Sequence, residues 1–307
     1  MKRFILSLTL ALSILLNGCR KEPNDGTAPA AHKSAVLTVY TVNYPLKYFA
    51  ERIGGDHVKV YFPAPADEDP AYWTPDAETV LKYQQADLIL LNGAGYAKWV
   101  DKVSLPATKF VNTSSAFADR YITLEEAVTH SHVPGGKHEH GSVAFTTWLD
   151  PSLAIEQAQA ISGALAKKQP QHSQTFKQNL ASLEKDLQGL DQKLVALSTE
   201  GESVPLIFSH PVYQYLTRAY GISAISVHWE PGEAPTPEMW ATLKAQLTQH
   251  PAKWMIWEGA PMQESVNQLK TLGISSVTFS PCGAPPEQGD YLSVMRENLL
   301  QFEQVFK

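Results

Sequence analysis

The sequence predicts an α/β protein of two parallel-sheet lobes joined by one long helix. Three observations lead there. Strand-like β-branched and apolar runs alternate with helical patterns across residues 36–92. Leucines at 180, 183, 187, 190, 194 and 197 alternate steps of three and four, which places them on one stripe of a helix. The strand and helix alternation then resumes from residue 204 to 306.

Val36 to Val42 is β-branched and aromatic and reads as a first strand, and the helix over Tyr44 to Ile53 closes at Gly54-Gly55. Val58 to Phe62 is a second strand. Pro75 to Gln85 is a helix with Asp76 and Glu78 in its first turn, and Ala86 to Asn92 is an apolar third strand of the buried parallel kind. Phe110 to Asn112 makes a short strand, residues 128–142 a polar loop, and Asp150-Pro151 opens a helix with Asp as N-cap and Pro at the first helical position.

The first lobe therefore spans residues 35–168. The linking segment 169–199 carries the leucine stripe on a helix of about 28 residues, roughly 42 Å long at 1.5 Å per residue. The second lobe, 200–307, holds strands at 204–209, 225–227, 254–257 and 277–279 and helices at 212–220, 237–249, 263–272 and 291–306. Joined by one helix, two such lobes turn their strand carboxyl ends toward each other, where α/β sheets bind ligands. The alternative is two domains that share no cleft.

The first 18 residues read as an address. Lys2 and Arg3 precede an apolar run, Phe4 to Leu16, too short to span a bilayer comfortably but suited to a secretory signal. The run ends in Leu16-Asn17-Gly18-Cys19, which resembles the bacterial lipobox, with cleavage before Cys19 and acylation of its thiol. Such acylation would anchor the chain to the bacterial cell envelope, facing the periplasm or exterior, with polar residues 19–34 as a tether. The competing reading is an ordinary signal peptide with a nearby Cys by chance.

The 307 residues include 7 Trp, 12 Tyr and 11 Phe, enough apolar surface to offset ordering entropy, which excludes a disordered chain. Lys and Arg total 25 against 31 Asp and Glu; removal of residues 1–18 takes away Lys2 and Arg3 and leaves 23 against 31, a net charge of −8. Nucleic acid is thereby disfavoured as a partner. With only Cys19 and Cys282, and Cys19 acylated, no internal disulfide forms. No Gly-x-Ser-x-Gly elbow, Walker loop, Gly-x-Gly-x-x-Gly fingerprint or His-Glu-x-x-His helix occurs, so nothing specific points to an enzyme.

Tyr44-Pro45-Leu46, Phe49-Ala50, Ile53-Gly54-Gly55-Asp56, the segment Pro63 to Pro75, Gln85-Ala86-Asp87-Leu88 and Asn92-Gly93-Ala94-Gly95 form one set of motifs. Trp148-Leu149-Asp150-Pro151, Ser209-His210, Gly289-Asp290-Tyr291-Leu292 and Met295-Arg296-Glu297-Asn298 form another. In this order, across nearly all of residues 36–306, they resemble the zinc- and manganese-binding lipoproteins of ABC importers, the cluster A-I solute-binding proteins. The resemblance implies a rigid clamshell holding one metal in its cleft and passing it to a membrane permease driven by a separate ATPase.

The family's ligand positions are where this chain departs. A His is expected after Asp69-Pro70, where Ala71 stands; another two residues before Trp148, where Thr146 stands; and a carboxylate before Pro281, where Ser280 stands. The third His is kept as His210. One retained donor cannot close a zinc site, which needs four donors when structural and three when open.

Other donors are read from the residues themselves. His130, His132, His138 and His140 form two His-x-His pairs around a Pro-Gly-Gly turn, and neutral imidazole suits zinc, copper and nickel. The alternative is a solvated polar loop. His210 follows one strand, Glu258 ends another, and His228 with Glu230 and Glu233 follows a third. Glu258 is a ligand, a partner of His210 or a helix N-terminal charge. Cys282 offers a thiolate in place of the missing carboxylate, or is a buried small apolar residue.

Asp67, Glu68 and Asp69 supply oxygen donors or merely hydrate the lip, and Tyr72, Trp73, Trp148, Trp229 and Trp257 map to cleft-side ends. The expectation is thus a monomeric, lipid-anchored solute-binding component of an ABC importer for a divalent transition metal, zinc before manganese. Two alternatives stand beside it: the same scaffold binding a chelated metal or small organic solute in an aromatic cleft, and a surface metal-buffering or adhesion lipoprotein using the His-rich loop alone.

Overall fold

The computed structural model describes residues 35–66, 68–124, 129–133, 136–139, 143–200 and 204–306, with the backbone alone for the segments between 129 and 139. The expected signal segment, Cys19 and the whole of the expected tether, residues 19–34, lie outside them. Two four-stranded, wholly parallel sheets carry the fold.

In the first half, β1 (Leu37–Thr41) leads into α1 (Tyr44–Gly54), capped by the Asn43 side chain, which accepts from the Leu46 N–H at 3.1 Å. Then follow β2 (Val58–Tyr61), α2 (Ala77–Gln85), β3 (Leu88–Leu91) and β4 (Phe110–Asn112), in sheet order β2-β1-β3-β4. Asp76 caps α2, so that helix starts two residues later than Pro75, because the capping residue itself keeps an extended backbone.

The segment expected as a polar loop contains an antiparallel hairpin, β5 (Thr129–Val133) with β6 (Gly136–Glu139). The Pro-Gly-Gly turn was the visible signal for it. His130 and His138 stand opposite each other in its register.

Asp150 caps α3 (Pro151–Lys168) by accepting from the Ser152 and Leu153 N–H groups, as the Asp-Pro pair predicts. The leucine stripe lies on α4 (Ser173–Glu200), 28 residues as expected, with Leu183, Leu187, Leu190, Leu194 and Leu197 buried. Beyond it come β7 (Leu206–Phe208), α5 (Gln214–Tyr220), β8 (Ala224–Ser226), α6 (Pro237–Leu247), β9 (Trp254–Trp257), α7 (Gln263–Thr271), β10 (Ser275–Thr278) and α8 (Tyr291–Phe306), in sheet order β10-β9-β7-β8.

One apolar cluster runs without a break from Phe49, Ile89 and Ile161 through the α4 stripe to Phe208, Phe279 and Phe302. Hydrogen bonds also cross between the halves. Tyr44 N–H donates to Gly283 O at 2.9 Å, Trp148 Nε1 to Pro281 O at 2.7 Å, Tyr215 OH to Ala144 O at 3.0 Å and Tyr291 OH to Trp148 O at 3.0 Å. Buried polar groups that find partners only across the halves oppose their separation.

Candidate metal centre

Because β10, β9, β7 and β8 run parallel, their carboxyl ends share one edge of the sheet. The residues just past those ends are Ser280, Glu258, His210 and Glu230 respectively. Ladder bonds beyond the strands hold these turns. Ser209 N–H donates to Ile256 O at 2.9 Å, Trp229 N–H to Ser209 O at 2.7 Å, Phe279 N–H to Trp257 O at 2.8 Å and Met262 N–H to Pro231 O at 2.9 Å. Beneath them Trp229 is buried against Trp240 and Trp257, ring centroids 4.6 and 6.1 Å away, so the backbone that carries Glu230 is packed into the core.

His210 Nδ1 lies 3.4 Å from Glu230 Oε1 and 3.9 Å from Glu258 Oε1. One donor atom from each of these three residues falls within 4.8 Å of the other two, and among the described residues this is the one group of three or more His, Cys, Asp or Glu so arranged. His210 is buried, while the two carboxylates keep roughly a quarter of their side-chain surface exposed. One imidazole nitrogen and two carboxylate oxygens make a borderline-hard donor set, which suits zinc and, with more oxygen, manganese.

The group opens into a cavity of about 640 Å³. Its other wall comes from the first half: Asp69, Tyr72, Tyr96, Phe145, Thr146 and Trp148. At two of the substituted family positions no ion-binding side chain is offered. Ala71 is buried with its N–H donated to Asp69 Oδ1 at 2.9 Å, and Thr146 donates its hydroxyl to Val212 O. The Ser280 hydroxyl accepts the Cys282 N–H at 3.2 Å, and Asn298 brackets the Ser280 backbone. Burial first, then the charges of Asp69 and Glu258, push the Tyr72 phenol well up; burial and Asp69 do the same to Tyr96. Both phenols are therefore neutral at physiological pH.

Of the donors read from the sequence, three come together: His210, Glu230 and Glu258. His228 and Cys282 do not join them. The His228 ring stands edge-on to His210 with centroids 5.7 Å apart, outside the group that gathers within 4.8 Å. Cys282 borders the cavity but is buried, and burial, with Asp290 adding, pushes its thiol up to about 12; its Sγ donates weakly to Ala284 O at 3.9 Å. Metal binding wants a thiolate, and this site favours the thiol. Glu233 is exposed. The side chains of His130, His132 and His138, all of His140, and Asp67 lie outside the described residues.

Of the aromatic residues expected at the cleft, Tyr72 and Trp148 line it, Trp229 and Trp257 are core, and Trp73 packs on Trp99 at 6.1 Å. Tyr96 and Phe145 line the cavity unannounced. Tyr96 directly follows the Asn92-Gly93-Ala94-Gly95 motif and Phe145 directly precedes the substituted position 146, which are the sequence signals for both.

The family described as periplasmic zinc-uptake complex component A, ZnuA, matches residues 39–305. The chain is 26% identical over 319 residues to the zinc-binding lipoprotein AdcA of Streptococcus pneumoniae, a match that covers 99% of this chain and 61% of that protein's length. It is 28% identical over 309 residues to the manganese ABC transporter substrate-binding lipoprotein PsaA of the same species, covering 96% of this chain and 95% of the relative. Among solved structures, the metal-dependent lipoprotein YcdH of Bacillus subtilis superposes with a TM-score of 0.76 at 21% identity, covering 88% of this chain and all of that one, which shows a shared fold.

Proposed function

Because the chain belongs to the periplasmic zinc-uptake component A family, we propose that it captures a divalent transition metal, zinc before manganese, outside the cytoplasmic membrane and delivers it to an ABC permease. A separate ATPase supplies the energy, and acylation of Cys19 would tether the protein beside that permease. The reading is one of binding and release rather than catalytic turnover.

One observation carries it: donors from three neighbouring strand ends, His210, Glu230 and Glu258, converge within 4.8 Å on a cavity that both halves of the protein line. A neutral imidazole with two carboxylates balances a dication's charge, and the open cavity leaves a route for exchange. In a family whose usual donors are missing here at 71, 146 and 280, retained metal transport requires a replacement set on the same cleft, and Glu230 and Glu258 beside the kept His210 supply one from the second sheet alone.

The test is metal analysis and calorimetric titration of tag-free protein with zinc and manganese. At least one zinc site of about micromolar affinity or better, weakened by His210→Ala, is expected. Protein that binds neither ion rejects the proposal.

A further inference from the structure

Three protein donors leave a tetrahedral zinc one position short, and a six-coordinate ion three short. Among the described residues no further His, Cys, Asp or Glu joins that group within 4.8 Å. Position 71 is Ala, the Thr146 hydroxyl is committed to Val212 O, and Cys282 Sγ turns to Ala284 O. Yet the space is large. At about 640 Å³ the cavity falls in the range of sites that hold small organic molecules, whereas one water takes only about 30 Å³ of liquid.

The wall is also organic in character. Tyr96 meets Phe145 edge-on at 5.1 Å and Trp148 at 5.8 Å, and Tyr72 meets Phe145 at 6.3 Å, an interlocked aromatic box that forms this side of the cavity wall. A hydrated ion leaves such apolar wall unfilled, while a flat or aliphatic ligand backbone packs on it. Charge narrows the class further. Glu230 and Glu258 already balance a dication, and Asp69 borders the same cavity, so an anionic chelate meets repulsion and a neutral or cationic one does not.

We propose that the ion is held here as a chelate: His210, Glu230 and Glu258 grip one side of it, and a small amino-acid-like molecule with neutral nitrogen donors completes its coordination inside the aromatic box. This rests on the metal-capture reading above and specifies the form in which the cargo is bound.

The experiment incubates tag-free protein with zinc alone, with zinc and L-histidine, and with zinc and citrate, then measures the retained mass by native mass spectrometry and the affinity by titration. The expected result is a 1:1:1 complex of protein, zinc and histidine, and no retained citrate. A second arm uses Gly283, which lies outside the donor group. A β-carbon there sits 3.7 Å from Trp148 and 3.9 Å from Tyr96, so it fits, and a longer side chain adds bulk beside those two walls of the cavity.

Gly283→Leu is expected to keep zinc-alone binding and to lose histidine retention by about tenfold or more, a difference of roughly 1.4 kcal/mol. Zinc retained without histidine in every arm overturns the chelate proposal and leaves metal capture standing. No zinc in any arm overturns both. Should Gly283→Leu fail to fold, the wild-type masses decide alone.

Discussion

The imidazole of His210 and the carboxylate of Glu230, twenty residues apart in sequence, meet at 3.4 Å because β7 and β8 are lateral neighbours in the second sheet. Glu258 approaches the same Nδ1 at 3.9 Å from β9 on the other side. Replacing His210 by Ala, or Glu230 or Glu258 by Gln, is expected to weaken zinc binding by about tenfold or more, or roughly 1.4 kcal/mol. Cys282→Ala is expected to leave it nearly unchanged, since the thiol stays protonated and turned to Ala284 O. Competition titration against a chromophoric chelator distinguishes the four variants, and an unaltered affinity in His210→Ala would refute the proposed ligand set.

The His-rich hairpin can be removed without breaking the frame, because Thr123 and Val143 form an antiparallel bridge and Ala144 N–H donates to Ile122 O at 2.9 Å. Replacing residues 128–142 by a short Gly-Ser connector is expected to lower the number of zinc ions bound while a His210-dependent site survives. Loss of all zinc binding in that deletion would instead favour a surface buffer that uses the loop alone.

Stability is expected to fall with alkali. Burial raises the Cys282 thiol and, with Cys282 adding, the Tyr44 phenol, each to about 12. Unfolded, these groups ionise near roughly 8.5 and 10. Both folded-state values are raised, so the stabilisation is fully present below the unfolded values and is lost as pH climbs from about 8.5 toward 12. Urea midpoints at pH 7.5, 9 and 10.5 should decline in that order, with Cys282→Ala flattening the earlier part. A midpoint constant across that window would contradict the burial of these groups.

Gly93 adopts φ +77°, and a β-carbon there would stand 2.0 Å from Ser114 Oγ, 2.4 Å from Asn112 Oδ1 and 2.7 Å from the Tyr121 hydroxyl. Those three side chains interlock, Ser114 donating to Asn112 Oδ1 at 3.1 Å, so none yields freely. Gly93→Ala is expected to cost about 2 kcal/mol or more. Gly95→Ala, also at positive φ but with nothing within 4 Å, should cost less in the same urea titration.

Much of this was written in local pattern. The Asp150-Pro151 start of α3, the 28-residue α4 with its leucine stripe, and the 254–257 strand follow from caps and periodicity, which depend on near neighbours in the chain. So does the placing of His210 and Glu258 at strand ends, since an apolar run that stops at a polar residue announces its own terminus.

What tertiary structure decided was company. Strand order β10-β9-β7-β8 differs from chain order, and it alone makes Glu230, His210 and Glu258 neighbours while His228 stands edge-on beside them. The heading of a turn four residues past β8 is set by burying Trp229 against Trp240 and Trp257, a contact among segments remote in sequence. Likewise Tyr96 and Phe145 become cavity walls, and Cys282 a buried thiol, only when two halves close on each other. Periodicity reports which face of an element is apolar; which other element covers that face is settled by packing the whole chain at once.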